Sequence, residues 1–208
     1  MKIDNIKPMD IEKKSFEIIT EILGDKKLDE RYEAIIKRCI HTSADFEYAD
    51  SMYFTDGVVE AVQDAIKKGA YIVTDTKMAQ SGINKKRITE YGGEVLCFIG
   101  DEDVAKEAKE RGVTRSLVSM EKAAELERPV IFAIGNAPTA LFSIEALIKE
   151  GKLNPVAVIG VPVGFVNVVE SKEHIIDLGV PCIIARGRKG GSNVAAAIIN
   201  AIQYGIKE

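Results

Sequence analysis

Histidine and cysteine are scarce in this chain, with two of the first and three of the second among 208 residues. Cys39, Cys97 and Cys182 are odd in number, far apart and without a C-x-x-C pair, which excludes a disulfide framework and a thiolate zinc site. Cys97 and Cys182 lie in apolar runs and read as buried packing residues. Cys39 stands near His41, but close neighbours on a helix point in different directions, which argues against a nucleophile–base pair. No histidines and carboxylates cluster at ligand spacing, so no metal site is expected. Basic excess is absent too: the net charge is −4 and the pI about 5.4, unlike a chain built for nucleic-acid phosphates. No apolar run approaches the roughly 20 residues of a membrane span. Residues 1–5 (Met-Lys-Ile-Asp-Asn) carry no signal-peptide hydrophobic region, and a cytoplasmic location is expected. Neither a P-loop nor a G-x-G-x-x-G dinucleotide fingerprint occurs, and no linker, repeat or low-complexity tract interrupts the chain.

What is present is an ordinary globular composition, 46% hydrophobic and 29% charged, long enough for one sizeable core. A single domain over residues 1–208 is expected. The first third reads as helical. Pro8 to Leu23 has a broad apolar face ending at Gly24, with Ser15 as an unremarkable mid-helix residue. Asp29 to Ile40 forms a second helix, and Thr55-Asp56-Gly57 caps a third that reaches Lys68.

From residue 70 onward short, continuously apolar runs alternate with helical segments. The runs are 70–74, 94–99, 129–134, 155–159 and 181–185, separated by helical segments near 76–91, 101–127, 138–150 and 166–179, with a last one at 192–206. Strands apolar on both faces belong to a parallel sheet covered by helices. The expected fold is therefore α/β: a doubly wound, five-stranded parallel sheet of order 2-1-3-4-5, with an extra N-terminal helical segment. Ligands of such sheets bind beyond the carboxyl ends of the strands, which directs attention to the strand ends.

Four strand ends carry unusual residues. Thr74-Asp75-Thr76-Lys77-Met78, with Gly82 beyond, gathers hydroxyls, a carboxylate and an amine. Gly135-Asn136-Ala137-Pro138-Thr139 places proline in a first helical turn, where free N–H groups face an anion. Gly160-Val161-Pro162-Val163-Gly164-Phe165, followed by Glu170-Ser171-Lys172, makes an apolar wall suited to a flat organic ring. Arg186-Gly187-Arg188-Lys189-Gly190-Gly191-Ser192 opens a helix with cations and glycines, the makings of an anion cradle or of a solvated basic turn. Arg115 can reach an anion or stand free; His174, within a helical run, reads as a surface or packing residue.

The remaining candidate is Arg38-Cys39-Ile40-His41-Thr42-Ser43-Ala44-Asp45 at the end of the second helix. Histidine, with an unperturbed pKa of about 6.5, both gives and takes a proton near neutrality. A helix-terminal histidine can equally serve only as a cap. Arg38 and His41, three residues apart, share a face.

Together these motifs, with Ser15-Phe16-Glu17-Ile18-Ile19, resemble in order and over almost the whole chain the precorrin-8X methylmutase family, also called cobalt-precorrin-8 methylmutase. The resemblance implies a flavodoxin-like fold, a homodimer, and migration of a methyl group from C11 to C12 of a corrin-type macrocycle in cobalamin biosynthesis. It implies no separate cofactor; cobalt, where present, belongs to the substrate. His41 becomes the catalytic acid/base, protonating the macrocycle near ring C to ease a 1,5-sigmatropic methyl shift and then recovering the proton. Substrate contacts are implied for Ser15, Arg38 and Thr42; for Thr74, Asp75, Met78 and Gly82; and for Arg115. They are implied also for Asn136, Ala137, Pro138 and Thr139; for Gly160, Pro162, Val163 and Gly164; and for Arg188, Lys189, Gly190, Gly191 and Ser192.

The local chemistry is consistent with that implication. A large flat ring bearing carboxylates calls for apolar walls and a cationic rim. An intramolecular migration needs no nucleophile, only orientation and one proton donor. The residues alone also admit an isomerase or lyase acting on a phosphorylated metabolite held by the Arg186 to Ser192 loop, or a corrinoid carrier without turnover.

Overall fold

The computed structural model describes residue 7 and residues 10–207. The chain runs α1 (Ile11–Leu23), α2 (Glu33–Ser43), α3 (Tyr48–Ser51), β1 (Met52–Phe54), α4 (Val58–Lys67), β2 (Tyr71–Thr74), α5 (Lys77–Gly82), α6 (Lys85–Glu90), β3 (Glu94–Leu96), α7 (Glu102–Arg111), α8 (Arg115–Ala124), β4 (Val130–Ile134), α9 (Pro138–Lys149), β5 (Ala157–Gly160), α10 (Val168–Asp177), β6 (Cys182–Ala185) and α11 (Ser192–Tyr204). Pro8, the expected start of the first helix, lies outside the described residues.

One sheet of order β1-β6-β5-β4-β2-β3 joins all six strands. The expectation of five strands is corrected by β1, which pairs antiparallel with β6 through Tyr53 and Ile184 while every other pairing is parallel. Three half-buried residues give too little pattern to announce a strand. Thr55, expected to cap the next helix, instead ties off β1. Its hydroxyl accepts the Cys182 N–H at 2.8 Å, and its own N–H donates to the Cys182 carbonyl at 3.0 Å. Gly57, at φ 72°, precedes α4 with no side-chain cap.

Both faces of the sheet are covered, which is why its central strands are apolar without alternation. Ile72, Ile131, Ile159 and Ile183 point into a layer where α11 packs on α2, α4 and α5. Val73, Phe132, Val158 and Ile184 point the other way, toward α9 set between α8 and α10. Each buried branched side chain contributes about 1.5–3 kcal/mol.

Two expected helices are each divided. The 101–127 segment breaks where Gly112 turns left-handed, φ 65°, to close α7, and the Thr114 hydroxyl then caps α8 by accepting the Leu117 N–H at 3.2 Å. The 76–91 segment breaks at Asn84, whose side chain accepts the Arg87 N–H. Both junctions are local capping reactions that an apolar period does not register.

Candidate active site

Helix α2 buries Ile35, Ile36, Cys39 and Ile40 and turns Arg38, His41 and Thr42 away from the core. The helix ends without help from His41. Ala44, at φ 55°, donates its N–H to the Ile40 carbonyl at 2.7 Å, and the Ser43 hydroxyl donates to the Cys39 carbonyl. The histidine is thus free of a capping role, and its ring is exposed and stacked on Phe16 of α1, centroids 5.4 Å apart and planes 18° from parallel.

His41 lines a depression of about 260 Å³ with Arg38, Thr42, Gly82, Asn193, Ala196, Ala197, Asn200 and Tyr204. A Cβ on Gly82 would come within 2.9 Å of the Ala196 Cβ, so glycine lets α5 close on α11. The Asn200 amide donates to the Gly82 carbonyl at 2.8 Å and fixes that contact. Arg38 divides this depression from a second one of about 550 Å³ that also touches Phe16, Lys37 and Tyr204. Its guanidinium lies 5.0 Å from the Phe16 ring centroid and 5.7 Å from that of Tyr204, and it pairs with Glu12.

Phe16, Asn193, Asn200 and Tyr204 are not among the residues expected to touch substrate. The spacing of the last three on one face of α11 was the available signal, but polar residues of a terminal helix look alike until the opposing element is known. Cys39 is fully buried, and burial pushes its thiol up to about 12, which removes it from nucleophilic chemistry.

The strand ends meet through backbone contacts. Asp75 is buried, and its carboxylate accepts the N–H groups of Gly135, Asn136 and Ala137 at 2.9, 2.8 and 2.7 Å. Burial raises this carboxyl against the pull of those three donors. Asp75 holds the loop after β4 in this way. Thr74 is likewise engaged within the fold, its one hydroxyl proton shared between the carbonyls of Thr76 and Leu96. Gly160 is buried within β5, where a Cβ would meet Ile184 Cδ1 at 2.7 Å. Gly135 lets its loop lie on Gly191 and Ser192, and a Cβ there would sit 2.6 Å from the Ser192 Cα. The Ser192 hydroxyl is 2.7 Å from that of Thr76, which caps α5.

Other expected site residues lie outside the His41 depression. The Ser15 hydroxyl donates to the Ile11 carbonyl. Arg115 opens α8 and Thr139 accepts a hydrogen bond from Thr114 at 3.0 Å, both on the opposite helical layer. Asn136 is exposed, Ala137 buried, and Pro138 takes the first turn of α9. Pro162 and Gly191 are buried, Gly164 partly so, whereas Met78 and Val163 stand in solvent at 70% and 48% exposure. Lys189 is neutralised by Asp45 at 2.5 Å and Glu47 at 2.8 Å; Arg188 is exposed. Gly190 packs on the Val161 carbonyl. His174, half exposed on α10, pairs with Glu145 at 3.0 Å. Among the described residues no group of three or more histidines, cysteines or carboxylates is placed to hold a metal, and no helix is long and apolar enough to cross a membrane.

The fold and this depression define an α/β protein with a mostly parallel sheet and, between helices of one covering layer, a depression with a single histidine in its wall. The family model for precorrin-8X methylmutase matches residues 10–204. A cobalt-precorrin-8 methylmutase of Priestia megaterium is 49% identical over 95% of this chain and 88% of its own length; one of Salmonella typhimurium is 45% identical over 97% of each. The crystal structure of the precorrin-8x methyl mutase from Thermus thermophilus superposes with a TM-score of 0.85 at 35% identity, covering 94% of this chain and 96% of that one. The chain belongs to the precorrin-8X methylmutase family, whose members are isomerases that move a methyl group within one molecule.

Proposed function

We propose that this enzyme moves the C11 methyl group of cobalt-precorrin-8 to C12 in cobalamin biosynthesis, with His41 as the proton donor and acceptor. The observation that carries the reading is the placement of His41: free of capping duty, stacked on Phe16, and facing a depression beside the Arg38 guanidinium. The imidazolium gives its proton to the macrocycle near ring C, which leaves the π-system electron-poor. The methyl group then crosses to the adjacent carbon with its bonding pair, and the proton returns to His41. No electron leaves the system and no second substrate enters.

The relatives at 49% and 45% identity bear the name of the cobalt substrate, whereas the Pseudomonas aeruginosa relative at 38% is named for precorrin-8X, which favours the cobalt complex here. No separate cofactor is proposed; the cobalt is the substrate's own. Arg38 and Arg188 serve as rim cations and Thr42 and Gly82 as the near wall. Met78, Arg115, Asn136 and Val163 belong to a wider surface completed in a cytoplasmic homodimer. Phe165 and Val166, 86% and 78% exposed after β5, support such an assembly.

The test is incubation with cobalt-precorrin-8 while following the absorption spectrum for the corrin chromophore, with metal-free precorrin-8 in parallel. Binding without spectral conversion would sink the methylmutase reading and leave a carrier. His41→Ala is expected to retain binding and to lose roughly 10²-fold or more in kcat.

A further inference from the structure

Lys172 has no place in the chemistry above, yet it is the least expected side chain in the fold. It is wholly buried on α10, although lysine is almost never buried without a partner of opposite charge. Its Nζ donates instead to two backbone carbonyls, those of Gly187 at 2.8 Å and Lys189 at 2.9 Å. Burial lowers the amine to about 8, with neighbouring Glu173 acting in the opposite direction. Desolvating an ammonium costs several kcal/mol, and a methionine would fill the same space without that cost.

The loop that Lys172 grips explains what the ammonium achieves. The Arg188 carbonyl, between the two it holds, accepts the Gly164 N–H at 3.1 Å, so three successive carbonyls turn toward the protein. Beyond them the Gly191 N–H donates to the Val161 carbonyl at 2.9 Å, and Gly190 packs so tightly on that residue that a Cβ would fall 2.0 Å from its oxygen. The backbone on both sides of Arg188 is thereby fixed, and among the described residues none of the Arg188, Lys189 and Gly190 N–H groups donates to a protein acceptor. Lys189 is already neutralised by Asp45 and Glu47, which leaves the exposed Arg188 to supply the charge.

We propose that Lys172 is a positioning residue: by holding the Gly187 and Lys189 carbonyls it fixes the backbone on both sides of Arg188 and so aims that guanidinium at one peripheral carboxylate of the substrate. This rests on the function proposed above. The seat grips the rim of the molecule, away from the migrating methyl, and so acts equally on ground and transition states; its loss raises KM and spares kcat.

Steady-state turnover of cobalt-precorrin-8 by the parent, Lys172→Met, Arg188→Gln and the double variant tests this. Lys172→Met is expected to raise KM about tenfold with kcat within about threefold of the parent. Arg188→Gln is expected to raise KM similarly, and the double variant to add little, because both changes empty one seat. Lys172→Gln, which keeps a buried N–H donor, should recover most of the affinity. A parental KM in Lys172→Met, a loss confined to kcat, or full additivity with Arg188→Gln overturns the proposal. Should Lys172→Met not fold, a parental KM in the exposed Arg188→Gln variant overturns it, and a raised KM there beside a near-parental KM in Lys172→Gln supports it. Absence of turnover in the parent itself would count against the methylmutase reading and not against Lys172.

Discussion

The role proposed for His41 depends on what surrounds its ring. Phe16 stacks with the imidazole and also meets the Arg38 guanidinium, so a single aromatic ring orients both. Phe16→Ala is expected to lower kcat about tenfold in the absorption assay while the circular dichroism spectrum stays that of the parent. Asp75 is decisive in a different way, since three N–H groups converge on its two oxygens. Asparagine would present an NH₂ group to one of those donors, and Asp75→Asn is expected to destabilise the chain by about 2–3 kcal/mol in urea titration. The buried Lys172 leaves a pH signature. Its folded value of about 8 lies below the ordinary 10.5, so below pH 8 the amine is charged in both states and the whole burial penalty is present. Between those values the unfolded chain holds the proton that the folded chain has released, and stability rises with pH. Scanning calorimetry should therefore show the melting temperature of the parent gaining on that of Lys172→Met between pH 8 and pH 10.5.

Among the elements, α11 and the loops around it assemble the site. Its Asn193, Asn200 and Tyr204 share the wall with the end of α2, and its amino end lies against the loop after β4. That second contact tolerates no side chain at Gly135, where the obstructing atoms are backbone. Gly135→Ala is expected to reduce stability by more than about 2 kcal/mol and to lower turnover with it. The five apolar runs were legible because burial on both faces removes alternation, a property of the strands themselves. β1 was not, because Met52, Tyr53 and Phe54 owe their strand character to pairing with β6 and not to a pattern of their own. Nor were the breaks at Asn84 and Gly112, where a cap or a left-handed residue outweighs a continuing apolar period.

For the whole molecule, the two helical layers leave the carboxyl ends of β2, β4 and β5 as the place where loops converge. The depressions beside Arg38 are open, and a corrin-sized substrate would overhang them. In the homodimer proposed above, a second subunit covers the exposed Phe165 and Val166. On that proposal the parent sediments as a dimer and Phe165→Glu is expected to sediment as a monomer in analytical ultracentrifugation and to turn over more slowly.

The sequence by itself determined the α/β class, the burial of Cys97 and Cys182 and the family, because apolar runs and ordered motifs are linear properties. It also marked His41, by its rarity and its hydroxyl-rich, cationic neighbours. Only the tertiary structure separated residues whose polar atoms stay free from those engaged within the fold. Asp75, Thr74 and Gly160 look like site residues in a string, yet backbone groups engage the polar atoms of the first two, and the missing Cβ of Gly160 makes room for the Ile184 and Leu141 side chains. Phe16 and Tyr204 look like packing, yet long-range folding sets them on either side of Arg38. Which atoms remain free for a substrate depends on contacts between distant segments, and those are fixed only when the chain has folded.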